Sequence, residues 1–140
     1  TLLNVELFVM PSSVYDLVER LMEWAPRQDI HMFIEKAQAM PKNGSVSMFN
    51  YGVHFGEILG AVTALGIVHT LVSPGTWTKA MHTGCSGADA KKKSLQAVRR
   101  LFPGVDLLAT PKSKVAHDGL TDALLICEFG RRQLLGKAAS

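Results

Sequence analysis

The stretch "GIVHTLVSPGTW", residues 66–77, carries the two signals on which the fold turns. Its first seven residues form a short, largely apolar run, which predicts a buried strand. Ser73 then stands where a helix cap belongs and Pro74 at the first helical position, so a short helix should follow at once. Upstream, "IHMFIE" (30–35) is short, apolar and preceded by a Pro-containing turn, and it predicts a second strand buried on both faces. Between these strands an apolar helix is expected from Met48 to Gly66. Strand–helix alternation with buried strands indicates an α/β layer architecture.

The flanks extend this reading. "VELFVM" (5–10) predicts a strand closed by Pro11, and Ser12 or Ser13 then caps "VYDLVERLMEW". In that segment Val14, Leu17, Val18, Leu21 and Met22 follow helical spacing. "AMPKNGSVS" (39–47) is loop chemistry. "SGADAKKKSLQAVRRLFP" (86–103) reads as a basic amphipathic helix stopped by Pro103. In "KVAHDGLTDALLICEFG" (114–130) a buried helix is expected from Ala123 to Phe129, with His117, Asp118 and Asp122 around its first turn. Neither an internal repeat nor a linker interrupts the chain, so a single domain over residues 1–140 is expected.

Composition narrows the classes. An apolar fraction of 47% with 19% charged residues is globular and rules against disorder. Cys85 and Cys127 lie far apart in unlike contexts, which gives no disulfide framework and points to a reducing compartment. The uncharged run from Ile58 to Thr78 is broken by Gly60, Gly66, His69, Ser73, Pro74 and Gly75, so no membrane span is expected. The formal net charge of +3 hides an asymmetry. Residues 1–70 hold four Lys/Arg against seven Asp/Glu, and residues 71–140 hold eleven against five. A basic C-terminal half suits either a polyanionic partner or a solvated surface.

Four features carry chemistry. Glu35 closes an apolar strand, and ligands of α/β sheets gather at strand carboxyl ends. Asp118 and Asp122 lie four apart, on one face of a helix, and two such carboxylates repel unless a cation sits between them. Magnesium suits a few carboxylate oxygens completed by water and substrate phosphate. Asp118 alone could cap the helix, and His117 is open to three roles: metal ligand, proton shuttle or a polar residue before the cap. Gly52, Gly56 and Gly60 recur every fourth residue, which implies close approach by a neighbouring helix, a second subunit or a nucleic-acid strand. Lys92, Lys93, Arg99 and Arg100 present a basic face for phosphates, with Lys42, Lys79 and Trp77 as further candidates for phosphate contact and stacking.

Four segments in order, "IEKAQAMPKNGSVSMFNYG", "VSPGTWTKAMHTG", "KKKSLQAVRRLFP" and "HDGLTDALLICEFGRR", resemble the RuvC-like Holliday junction resolvases. The branch most similar is the bacterial and phage one related to the monokaryotic chloroplast resolvase of plants. The resemblance spans nearly all of residues 30–135. It implies an RNase H-like mixed sheet flanked by helices, and a homodimer that cuts four-way DNA junctions with two magnesium ions, for which Mn2+ would substitute. On this resemblance Glu35, Asp118 and Asp122 are metal ligands, and His117 is a supporting or general-base residue. Lys79 falls where the family has a lysine near the scissile phosphate. The loop 39–47 matches the segment that approaches bases at the junction core. With it come Lys42, Asn43 and Ser45 as DNA contacts, together with Lys36, Trp77, Lys92 and Lys93. The setting implied is the cytoplasm of a bacterium or phage-infected cell, or a plastid.

The family's first strand ends in a Gly-Ile-Asp-Pro-Gly-like motif, and nothing before Glu35 matches it. Two expectations follow from that gap. Either the chain lacks its first strand and, as it stands, is inactive, or it is a non-catalytic junction-binding relative. An RNase H-like RNA-processing nuclease is the remaining alternative.

Overall fold

A computed structural model describes residues 4–38 and 44–138. Two compact units emerge: Met10–Ser73 forms one, and Pro74–Ser140 groups with the described part of Thr1–Val9 in the other.

In the first unit, helix α1 (Val14–Met22) starts where Ser13 turns extended and its hydroxyl accepts from the Tyr15 amide at 3.1 Å. Strand β1 (Met32–Glu35), helix α2 (Ser45–Ala64) and strand β2 (His69–Val72) follow. The strands pair in parallel, Met32 opposite His69 and Glu35 opposite Val72. Parallel neighbours need a long crossover, which α2 supplies. Gly66 ends the turn after α2 with φ +67°. There the Ile67 amide donates to the Val62 carbonyl at 3.0 Å and the Gly66 amide to that of Thr63 at 3.1 Å. These two bonds close the helix in a Schellman turn, which requires the left-handed residue that glycine supplies cheaply. Leu17, Leu21, Ile34, Val62 and Ile67 form the core, flanked by Trp24, Ile30, Phe55 and Ile58.

The second unit is helical. Helix α3 (Pro74–Met81) begins with the proline at its first position, as the Ser-Pro pair predicts. Helix α4 (Ala90–Leu101) and helix α5 (Asp118–Ala138) complete it, and α5 packs against both α3 and α4. Trp77, Met81, Ala97, Val98, Leu107, Leu120, Leu124, Leu125 and Phe129 are buried there.

The mixed α/β class is therefore observed, with five helices and one two-stranded parallel sheet among the described residues. Several expectations are corrected. Residues 5–10 are not a strand: they run as irregular chain outside the two-stranded sheet of the described residues. The two strands are not buried on both faces, since Thr70 and Leu71 of β2 are exposed. Helix α4 begins four residues later than the sequence suggests, because the Asp89 carboxylate takes the Lys92 amide at 2.9 Å and sets the cap there. Helix α2 starts at Ser45, inside the expected 39–47 loop, and residues 39–43 of that loop lie outside the described residues.

Candidate metal and phosphate site

The first turn of α5 is built by His117. Its Nδ1 accepts the Leu120 amide at 3.3 Å, and its carbonyl takes the Thr121 amide at 3.1 Å and the Thr121 hydroxyl at 3.0 Å. An imidazole that accepts at Nδ1 carries its neutral-form proton on Nε2. The helix cap is thus His117, and Asp118, which by itself could have supplied one, is the first helical residue. Gly119 makes this possible: a Cβ there would lie 3.0 Å from the His117 ring.

Relieved of capping, Asp118 points to solvent, where Lys91 of α4 forms an ion pair with it. Asp122, one turn on, is half-buried. Burial pushes its carboxyl above the usual carboxylate range; the nearby Ser94 hydroxyl works against that, while the charge of Asp118 adds to it. The two carboxylates therefore feel each other, as their four-residue spacing predicts. Helix α4 meets this pair with a matching turn of its own. Lys91 pairs with Asp118, and the hydroxyl of Ser94, three residues later, acts on the Asp122 carboxyl.

Ser94 is 3% exposed, and its Oγ lies 3.0 Å from His82 Nε2 at the end of α3. Burial lowers the His82 ring below the ordinary histidine range, the Asp122 charge opposing and Lys93 reinforcing the shift. His82 also lines a shallow pocket of about 280 Å3 with Gly75, Thr78, Lys79, Thr83 and Lys93. Neither lysine has an ion-pair partner among the described residues. The Thr78 hydroxyl donates to the Pro74 carbonyl at 2.7 Å and that of Thr83 to the Lys79 carbonyl at 3.2 Å. The two ammonium groups bring positive charge to this lining, which suits a phosphate.

The other predicted positions are less uniform. Lys92 is exposed. Arg99 and Arg100 donate to the carbonyls of Val105 and Thr83, at 3.2 and 3.1 Å, so the basic face of α4 is partly spent on loops. Trp77 is corrected: at 2% exposure, edge-on to His82, it is a core residue with no free face for a base. In the other unit, Glu35 is half-buried at the carboxyl end of β1. Burial, then the charge of Glu35, raises the Tyr51 hydroxyl above its ordinary range. Lys36 is exposed and donates its amide to the Val72 carbonyl at 2.8 Å. Ser45 opens α2, and Lys42 and Asn43 lie outside the described residues.

Among the described residues no group of three or more His, Cys, Asp or Glu side chains is placed to hold a metal ion. Asp118 and Asp122 form a pair rather than a cage, and a pair of carboxylates is the donor set Mg2+ takes when water and phosphate complete its shell. The residues fit that ion on this count. His82 and Ser94 escaped the sequence reading. A signal existed: Ser94, Ala97 and Val98 share the i, i+3, i+4 stripe of α4, which puts a hydroxyl on a buried face.

No family model matches the chain, and no curated protein matches it. No helix among the described residues is long and apolar enough to cross a membrane.

Proposed function

We propose that this chain is a Mg2+-dependent endodeoxyribonuclease of RNase H-like type that resolves four-way DNA junctions as a homodimer. The observation that carries this reading is the Asp118–Asp122 pair, with a two-lysine pocket lined by His82, whose ring feels the Asp122 charge. A divalent ion bound at such a pair supplies Lewis-acid stabilisation of a phosphoryl oxygen and a more acidic water. Asp118 and Asp122 hold it, Lys91 offsets their charge in its absence, and Lys79 and Lys93 take the phosphate. Glu35 enters through the resemblance and its position at a strand end. The homodimer finds support in α2. Phe49, Gly52, Val53, Gly56 and Gly60 fall on one side of that helix and are exposed, so among the described residues of its own unit the close approach the glycines invite is not made.

The test is binding and cleavage of a synthetic four-way junction against a linear duplex of the same sequence and a structured RNA. The expected result is preferential junction binding and Mg2+-dependent nicking, with Asp122→Asn abolishing nicking and sparing binding. Equal affinity for junction and duplex, with no nicking, overturns the reading. The two-carboxylate count among the described residues favours one second reading, a junction-binding protein without catalysis, which retains the preference and nicks nothing.

A further inference from the structure

Midway along α5, Glu128 is a carboxylate with no exposed surface. Arg131 approaches it through Nε and Nη2 and Arg132 through Nε, at 2.8 to 3.0 Å. A buried ion pair adds little stability over apolar residues of the same volume, so stability alone is a poor account of this acid. What the three bonds do fix is the pose of two guanidinium groups, both partly in water. Arg131 spends two N–H donors on the carboxylate and Arg132 one; the remaining donors of both meet no partner among the described residues. One negative charge against two positive ones also leaves a surplus for an anion.

We infer that Arg131 and Arg132 form a phosphate clamp for a DNA backbone, with Glu128 as the buried positioning residue that holds both forks ready. The inference rests on the reading of this chain as DNA-binding and adds a contact to it. A planar guanidinium matches a phosphate through paired donors, and a fork already held in place loses less freedom on binding. The clamp is also well sited. Arg132 stands fourteen residues after Asp118, close to four whole turns, so it returns to the same face of α5 about 21 Å along the axis. Both residues are exposed. A DNA arm lying along that face meets the carboxylate pair at one end and the clamp at the other, so the clamped phosphate is remote from the reacting one.

Fluorescence-anisotropy titrations of the full chain test this, with a labelled four-way junction and a duplex of the same sequence, without divalent ions and over a range of KCl. Arg132→Gln is expected to weaken binding to both and to lower the slope of log affinity against log salt by about 1, one phosphate contact. Arg132→Lys keeps the charge and loses the fork, and is expected to keep the slope while binding more weakly than the parent. Glu128→Gln tests the positioning role by sign. It removes a negative charge, which by field alone tightens DNA binding, whereas loss of the held pose weakens binding by roughly 3- to 10-fold. Should Glu128→Gln be unfolded by circular dichroism, the two variants at the exposed Arg132 still decide the clamp. Unchanged or tighter binding by folded Glu128→Gln, or an unchanged slope in Arg132→Gln, overturns it. If the losses appear while the parent shows no preference for the junction, the junction reading fails and the clamp stands; a parent that binds neither DNA overturns both.

Discussion

Glu128 Oε2 lies 2.8 Å from Arg131 Nε, one turn along α5, and the glutamate has no exposed surface. Arg131 Nη2 and Arg132 Nε take the other oxygen at 3.0 and 2.8 Å. These bonds hold the Glu128 carboxyl at about 2, Arg131 being the largest cause. The arginines keep 31% and 47% of their side chains in water, so burial falls on the acid alone. Arg131→Met is expected to destabilise the protein by about 1 to 3 kcal/mol, because it removes two of the carboxylate's charge-assisted bonds and leaves Arg132 as its remaining arginine. Glu128→Gln is expected to cost less, since both arginines return to solvent. Urea unfolding of the two variants checks the order.

Acid titrates the same group. A carboxyl held low when folded stabilises the folded state above its unfolded value, and that gain is lost as pH falls through the folded one. Thermal stability should therefore decline from about pH 4.5 towards the folded value of about 2. Glu128→Gln should flatten this acid limb, as followed by circular dichroism melts at constant ionic strength.

The cap on α5 couples His117 to Gly119. Gly119→Ala is expected to destabilise the parent, because its Cβ would meet the imidazole at 3.0 Å. With His117→Ala the obstacle is gone, and the added alanine should instead gain up to about 1 kcal/mol of helix propensity. His117→Ala itself should cost about 1 kcal/mol, and Asn, which also caps, should cost less. A double-mutant cycle in urea measures the reversal of sign.

Glycines elsewhere divide into two kinds. A Cβ on Gly87 would stand 2.8 Å from the Lys93 amide nitrogen, a backbone atom that cannot yield without moving the first turn of α4. Gly87→Ala should therefore destabilise the fold, as read by urea unfolding. A Cβ on Gly56 would meet nothing within 4 Å, so that position accepts a side chain freely within one chain. Gly56→Leu should leave the circular dichroism spectrum unchanged and convert the proposed homodimer to monomer in sedimentation velocity.

Much of this architecture is legible in residue order. The strand–helix–strand run of residues 30–72, the Pro74 helix start and the Gly66 stop each rest on local chemistry, and local chemistry is what a sequence displays. The segment 5–10 misleads because a short apolar run describes one strand's composition, whereas a sheet is made by pairing that composition does not display. Trp77 misleads for a similar reason: an aromatic beside a lysine looks the same whether its face is wet or packed. At the site, the spacing of Asp118 and Asp122 is visible directly. Their partners Lys91, Ser94 and His82 are contributed by other helices, and His117 takes the capping role because Gly119 leaves room for its ring.

One turn of α4, Lys91 to Ser94, meets one turn of α5, Asp118 to Asp122. The largely exposed stretch 110–115 can change length without disturbing that match, provided Leu107 keeps its buried place and His117 still begins α5. A residue inserted between Lys91 and Ser94 cannot be absorbed, because it swings everything after it through about a quarter of a helical circle. The tolerance of this chain to insertions should therefore be uneven, forgiving in that loop and absent in the first turn of α4.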